Sequence, residues 1–146
     1  MRTRTIELEL NSETRQVPEY ARMAATILVP TLTIAHHPRL DRVGERAMLL
    51  PLTRPSAEVE VSRLTPDFAA PRANKGLPLA SAFLSRRPVV LRADGGRLVL
   101  DASALGEGAL KVDGVPTRTL ELTRARLEAG VVLELGGQIV LLLHLA

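Results

Sequence analysis

Residues 131–145 read VVLELGGQIVLLLHL and carry the pattern that decides the fold class of this chain. Two short apolar runs, VVLEL and QIVLLLHL, lie on either side of Gly136 and Gly137. A glycine pair between two apolar runs is typical of the turn of a β-hairpin. We therefore expect a two-residue turn at these glycines, with the flanking runs paired as antiparallel strands.

The same pattern, short apolar runs separated by turn residues, recurs along the rest of the chain. Asp94-Gly95-Gly96 precede the run LVL (98–100), which predicts a second hairpin whose return strand follows the glycines. Repeated short runs separated by Gly, Pro and Asp predict an all-β sandwich of about ten to eleven mainly antiparallel strands. The predicted strands are ATILV, TLTIA, ERAMLL, EVEVS, PVVLRA, RLVLDA, LKVDG, RTLELT, VVLEL and QIVLLLHL.

The chain length suits one domain. At 146 residues it is long enough for one substantial core and too short to suggest two. The mixed, charged residues 1–24 predict a flexible N-terminal arm, followed by a single domain over residues 25–146. Two segments interrupt the strands, the long loop LTPDFAAPRANKGLPLASA (64–82) and the short DASALGEGA (101–109), and TRARLEA (123–129) predicts one helical turn. Long loops on a rigid sandwich are where binding residues usually lie.

Composition excludes several classes of protein. A hydrophobic content of 46% excludes global disorder, and the absence of cysteine excludes disulfides and thiolate metal sites. With two Phe, one Tyr and no Trp, the chain lacks aromatic platforms for stacking single-stranded nucleic acid. No apolar run reaches the roughly 18 residues that a membrane span needs. The N-terminus also lacks the apolar core of a signal peptide. We therefore expect a soluble cytoplasmic protein.

The usual motifs of enzymes and metal sites are missing. The chain contains no GxxxxGK[ST] loop, no GxGxxG fingerprint and no GxSxG elbow. His36 and His37 are adjacent, and neighbours on a strand point to opposite faces, so they are poorly placed to share an ion. His144 lies in the last apolar run and is interpreted, like the other two, as structural. We expect no cofactor, no metal and no catalytic activity.

Arginine supplies nearly all the positive charge in a chain of net charge +3 and pI near 10.2. Its planar fork of donors suits phosphate oxygens, although a G+C-rich coding sequence produces the same bias. Arg63 follows the predicted strand EVEVS, Ser85-Arg86-Arg87 precede PVVLRA, and Gly106 precedes LKVDG. Because loops gather at one end of a sandwich, these residues are candidates for one anion site. The alternative is that these arginines are solvated at the rim of the sandwich and bind no ligand.

The order of these elements resembles the forkhead-associated (FHA) family. That family has a Gly-Arg after a strand, a long loop, then Ser-Arg-x-His, then Asn-Gly before a final β-meander. The matching stretches are VSRLTPDF (61–68), LPLASAFLSRRPVVLRADGGRLVLDAS (77–103) and LKVDGVP (110–116). The resemblance implies an FHA-like (SMAD/FHA) β-sandwich that binds phosphothreonine peptides, a recognition mode in which arginine clusters hold the phosphate.

A longer stretch of sequence points to one group within the family. With TLTIAHHPRLDRVGERAMLLPL (31–52) included, the chain is similar to the N-terminal FHA domains of bacterial sigma-54-dependent transcriptional regulators. Those chains continue into an AAA+ ATPase and a DNA-binding helix-turn-helix. The resemblance implies a signalling module whose partners are a phosphothreonine-containing protein and an attached or associated activator. It implies no direct contact of this domain with nucleic acid or with a membrane.

The resemblance assigns the phosphopeptide contacts residue by residue. Arg63 matches the arginine that contacts phosphate, Ser85 matches the serine that donates its hydroxyl to the phosphate, and Arg86 follows as a supporting cation. The further candidates for supporting the site are Ser62, Arg87, Asn74 and Gly106.

Three positions depart from the family pattern. Ser62 replaces the glycine and is expected to alter the backbone path or crowd its neighbours. Pro88 stands where a histidine braces the serine loop, and ALGEG (104–108) lacks the asparagine that holds the peptide backbone. These departures motivate an alternative function, a degenerate FHA-fold module that mediates phospho-independent protein–protein interaction or self-association. A basic accessory to DNA binding is a third interpretation, motivated only by the pI.

Overall fold

A computed structural model describes residues 28–146, and the predicted arm over residues 1–24 lies outside them. This part of the chain contains ten β-strands, two short 3-10 helices and one α-helix. The strands are β1 Pro30–His36, β2 Arg46–Met48, β3 Glu58–Val61, β4 Val89–Asp94, β5 Arg97–Asp101, β6 Leu110–Val112, β7 Val115–Pro116, β8 Thr119–Leu122, β9 Val131–Leu135 and β10 Ile139–Leu145. The 3-10 helices span Leu40–Arg42 and Leu50–Thr53, and the helix α1 spans Arg124–Ala129.

The strands form two antiparallel sheets, which confirms the all-β prediction. One sheet has six strands in the order β2-β1-β10-β9-β6-β7, and the other has four in the order β3-β4-β5-β8. Alternate residues of the longer strands face a shared core, as in β10, where Ile139, Leu141 and Leu143 are fully buried. The core is built almost entirely from leucine, valine and isoleucine, as the scarcity of aromatic residues requires.

Both predicted hairpins are present, with one correction. In the β4–β5 hairpin, Gly95 and Gly96 have φ of +56° and +84°, the left-handed backbone that a two-residue turn needs. In the β9–β10 hairpin, Leu135 pairs with Ile139, so Gln138 also belongs to the turn. The predicted two-residue turn is therefore wrong. The turn closes one residue later because the Gln138 N–H donates to the Leu135 carbonyl oxygen at 3.3 Å.

The region around β1 also differs from expectation. ATILV and TLTIA were predicted as two strands, whereas the described chain has one strand, β1, which begins at Pro30. Leu28 and Val29 precede it, and residues 25–27 of ATILV lie outside the described residues. Val29 nevertheless exchanges two backbone hydrogen bonds of 3.0 Å with Ala146, which ties the chain to the end of the last strand.

The predicted helical turn in TRARLEA is confirmed as α1. The Thr123 hydroxyl caps it by accepting the Arg126 N–H at 3.3 Å, a common way to satisfy a free donor at a helix start. Leu127 packs into the core from this helix. Over residues 28–146, no helical segment has the length and apolar character that crossing a bilayer requires.

Candidate functional site

Two of the predicted phosphate contacts lie side by side at one end of the sandwich. Val61, the last residue of β3, pairs with Val89, the first residue of β4, so the adjoining loops emerge at the same end of the sheet. The Arg63 N–H donates to the Ser85 carbonyl oxygen at 3.4 Å. Antiparallel pairing therefore brings together an arginine and a serine that are distant in the sequence.

Ser85, Arg86 and Arg87 form an exposed turn beside Arg63, which is half-buried. The Ser85 Oγ accepts the Arg87 N–H at 2.9 Å, which leaves the hydroxyl proton free to be donated. Within residues 28–146, the guanidinium groups of Arg63, Arg86 and Arg87 make no hydrogen bond or ion pair. Guanidinium groups and a serine hydroxyl are donors of the kind that an anion site uses.

Ser62 fits its turn instead of distorting it. Its Oγ accepts the Leu64 N–H at 3.1 Å, and its own N–H donates to the Thr65 carbonyl oxygen at 2.8 Å. The non-glycine residues with positive φ do not include Ser62, so the backbone here does not need glycine. Ser62 is buried, and its hydroxyl closes the turn.

Hydrogen bonds of Ala80 and Ser81 hold the serine loop, which is the segment before Ser85, although Pro88 provides no side-chain donor. The Ser81 Oγ accepts the Phe83 N–H at 3.2 Å. The Ala80 N–H donates to the Arg63 carbonyl oxygen at 2.9 Å. The loop before Ser85 is therefore connected directly to the backbone of Arg63.

The tip of the β9–β10 hairpin is a part of the site that the sequence analysis did not identify. Gly136 has φ of +61°, and a β-carbon on it would collide with the Phe83 carbonyl oxygen. Gly137, with φ of +69°, faces open space. The glycine pair signalled a turn, but no sequence pattern indicated that one of the two glycines lies against the serine loop.

A small cavity of about 120 Å³ lies between these loops and the core. Its lining includes Ser62, Ser85 and Arg87, together with Gly136 and Leu105, whereas Arg63 and Arg86 do not line it. Leu105 therefore brings the segment 101–109 to the site, as expected for loops that gather at one end.

Two further candidates have weaker links to the site. Gly106 and Asn74 are both exposed, and neither lines the cavity. Among the described residues, no hydrogen bond joins either of them to Arg63 or Ser85.

The long loop over residues 64–82 is anchored in the core. It contains no strand and only isolated bridges, one of which joins Phe68 to Leu77. Phe68 and Leu79 are 1% and 0% exposed, so both side chains are part of the core. The loop that separates the two phosphate contacts in sequence is therefore held at both its beginning and its end.

The histidines make no metal site in the described part of the chain. Nowhere in residues 28–146 do three His, Asp or Glu side chains gather closely enough to hold an ion. His36 is exposed, His37 is buried, and the His144 Nε2 lies 2.7 Å from the Thr33 Oγ1. The burial of His37 and its hydrogen bonds to the loop before the site were not predicted.

One carboxyl group near the segment 101–109 has a shifted pKa. Hydrogen bonds from the side chain and the backbone N–H of Ser103 lower the pKa of Asp101, and the charges of Arg92 and Arg118 lower it further. Asp101 therefore stays ionised and holds the start of this segment, with its Oδ1 accepting the Ser103 N–H at 2.8 Å.

Comparison of the chain with known protein families, curated proteins and solved structures finds no match.

Proposed function

We propose that this chain is a phosphothreonine-peptide-binding module with an FHA-like β-sandwich, and that it regulates a bacterial transcription activator. The observation that carries the proposal is the contact between the Arg63 N–H and the Ser85 carbonyl oxygen. It supports the proposal because the two residues with the strongest family counterparts lie next to each other. Ten antiparallel strands in two sheets agree with the strand number that the sequence pattern predicts.

A phosphate group fits between these residues on chemical grounds. The Arg63 guanidinium offers a planar fork of donors, and the Ser85 hydroxyl offers one more. Arg86 and Arg87 add positive charge on the exposed side. A hydrogen bond from a charged donor contributes about 1.5–3 kcal/mol, so two or three of them support binding in the micromolar range.

The missing asparagine lowers the affinity and the sequence selectivity that we expect for peptide binding. Gly106 and its neighbours in ALGEG provide backbone groups but no side-chain amide to hold the peptide beside the phosphothreonine. Losing such an amide weakens binding by about 1–3 kcal/mol. We therefore expect phosphate-dependent binding with modest affinity and a loose preference for peptide sequence.

Titration of the chain with a phosphothreonine peptide library, followed by NMR, tests the proposal. We expect the amide resonances of Arg63, Ser85 and Arg87 to move most, and only with phosphorylated peptides. The matched control is the same peptide set without phosphate. Equal binding of both sets, or no binding of either, would sink the proposal.

A phospho-independent interaction module remains the second candidate, and one observation favours it. Leu77 and Phe83 are 59% and 58% exposed, and both line one groove in the loop before Ser85. Exposed apolar residues that share one surface are typical of protein-docking sites. Under this function, replacing Arg63 and Ser85 together would leave partner binding unchanged, whereas Leu77→Ser with Phe83→Ser would abolish it. The self-association form also predicts a dimer in sedimentation at high concentration.

A further inference from the structure

His37 makes two hydrogen bonds that fix its protonation state. It is buried directly after β1, with 3% of its surface exposed. Its Nδ1 accepts the Arg39 N–H at 2.9 Å. The ring proton therefore lies on Nε2, which donates to the Leu79 carbonyl oxygen at 2.9 Å. Only the neutral ring can make both bonds, because a protonated imidazole has no acceptor.

Arg42 binds the same stretch of backbone from the neighbouring turn. Its side chain is buried, and its guanidinium holds the Glu45 carboxylate with a shortest distance of 2.6 Å. The two Nη groups donate to the carbonyl oxygens of Pro78 at 2.6 Å and Leu77 at 2.8 Å. His37 and Arg42 thus hold three successive carbonyl groups, at residues 77–79, and we refer to this arrangement as the carbonyl clamp.

The carbonyl clamp leads directly to the phosphate site. Leu79 is fully buried, and the next residue, Ala80, has φ of +54°. A side chain in this left-handed region costs roughly 1–2 kcal/mol, so the conformation persists only where neighbours hold it. The Ala80 N–H donates to the Arg63 carbonyl oxygen at 2.9 Å. A shift of Leu79 would therefore move Ala80, and with it the backbone of Arg63.

The charges around His37 oppose a proton on its ring. The Arg42 Nη1 lies 3.5 Å from the same Leu79 carbonyl oxygen that His37 binds. Glu45 is already paired with Arg42, and Arg39 is paired with the exposed Asp41 at 3.2 Å. The segment 77–83 carries no ionisable side chain. Protonation would thus place a second cation beside Arg42 and break the bond from the Arg39 N–H.

We propose that His37 and Arg42 are positioning residues for the phosphate site, and that protonation of His37 opens the carbonyl clamp and weakens phosphopeptide binding. A proton on the His37 ring would remove the acceptor for the Arg39 N–H and bring a second cation next to Arg42, so we expect acidification to loosen the clamp. The part of the proposal that concerns affinity rests on the proposed function. The coupling between His37 and Arg63 does not.

The coupling is tested on the full chain without peptide. NMR spectra are recorded between about pH 7.5 and about pH 5.5, following the His37 ring and the amides of Ala80 and Arg63. We expect these amides to titrate with the His37 ring in the wild-type chain and to lose that transition in His37→Gln. Glutamine keeps a donor for Leu79 but does not titrate. The coupling would be overturned by amides that do not follow the His37 ring, or by amides that titrate unchanged in His37→Gln. A His37 ring that keeps the same protonation state over the whole range would overturn the proposed pH-dependence.

The effect on affinity is tested with a phosphothreonine peptide from the library. The phosphate itself titrates near pH 6, so the informative quantity is the pH-dependence of the dissociation constant in the wild type relative to His37→Gln. We expect the wild type to lose at least about fivefold more affinity on acidification, since protonation breaks the bond from the Arg39 N–H to His37 and places a second cation beside Arg42. His37→Gln is expected to bind about threefold more weakly than the wild type at neutral pH, because it loses the ring nitrogen Nδ1 that accepts the Arg39 N–H.

Three further variants complete the test. His36→Gln and His144→Gln are controls on histidines outside the clamp and should keep the wild-type pH-dependence. Arg42→Lys should weaken binding at both pH values, because one ammonium cannot replace a guanidinium that bonds several oxygens. The same pH-dependence in His37→Gln and the wild type contradicts the affinity part. If no peptide binds any variant, the proposed function and the affinity part both fail, and the amide titration still decides the coupling.

Discussion

Gly136, at the tip of the β9–β10 hairpin, lies so close to the Phe83 carbonyl oxygen that a β-carbon on Gly136 would overlap it. Phe83 belongs to the loop that presents Ser85. The hairpin turn between β9 and β10 therefore packs against the loop that presents Ser85. Only a glycine allows the two backbones to approach this closely.

The neighbouring glycines of this turn offer a matched pair of variants. Gly136→Ala and Gly137→Ala both place a side chain at positive φ, which costs about 1–2 kcal/mol each. Only Gly136→Ala also collides with Phe83, so we expect it to destabilise the fold by about 1–3 kcal/mol more than Gly137→Ala. Urea unfolding measures the difference. Gly136→Ala should also move the Ser85 amide resonance, and equal effects of the two variants would contradict the contact.

Arg63 is expected to carry the phosphate dependence of peptide binding. Arg63→Ala should bring a phosphorylated peptide to the affinity of its unphosphorylated counterpart, because the main charged donor is lost. The control is Arg97→Ala, at a turn of β5, where Arg97 pairs with Glu121 at 2.9 Å on the exposed surface. Isothermal titration of both variants checks the prediction. A similar loss in Arg97→Ala would indicate a general effect of charge rather than a site at Arg63.

The two phenylalanines of the chain differ in burial, so their variants test whether the long loop is anchored in the core. Phe68, in the long loop, is 1% exposed, whereas Phe83 is 58% exposed. Phe68→Ala should destabilise the fold by about 3–5 kcal/mol through the cavity that it leaves in the core. Phe83→Ala should cost less than about 1 kcal/mol, because it removes little buried surface. Thermal unfolding of the two variants provides the comparison, and a small effect of Phe68→Ala would mean that the loop is not anchored.

Asp101 makes a pH-dependent contribution to stability. Hydrogen bonds from Ser103 hold the pKa of the folded carboxyl below its ordinary value of 3.8. The stabilisation is therefore present above that value and disappears as the pH falls through the lower pKa of the folded state. Asp101→Asn should be less stable than the wild type at neutral pH by under about 1 kcal/mol, since the group is partly exposed. The difference should vanish in strong acid.

Urea unfolding from neutral pH to strong acid follows this difference. Asp94→Asn, on the exposed end of β4, is the control and should track the wild type throughout. A stability gap between Asp101→Asn and the wild type that persists in strong acid would contradict the role of the Asp101 carboxylate.

The prediction of loop convergence agrees with the structure in part. The ends of β3 and β4 do bring Arg63 next to Ser85, because antiparallel pairing fixes which strand ends meet. Gly106 and Asn74 are not joined to them by any hydrogen bond in the described part of the chain. Their positions depend on the path of irregular loops, which strand periodicity does not determine.

The amino-acid sequence by itself determined the local features of this protein. A continuous apolar run produced β10, the left-handed Gly95 and Gly96 produced the β4–β5 turn, and Thr123 began α1. These outcomes depend on residues that are close together along the chain. The sequence pattern also placed Arg63 and Ser85 at strand ends.

Only the tertiary structure decided which distant groups touch. Gly136 against Phe83, His37 on the Leu79 carbonyl, and Phe68 in the core all join segments that no local pattern relates. Packing of the two sheets fixes these contacts. When the apolar faces are buried, the loop carbonyl groups must find hydrogen-bond donors, and the hairpin tip must fit against the loop before Ser85 without overlap.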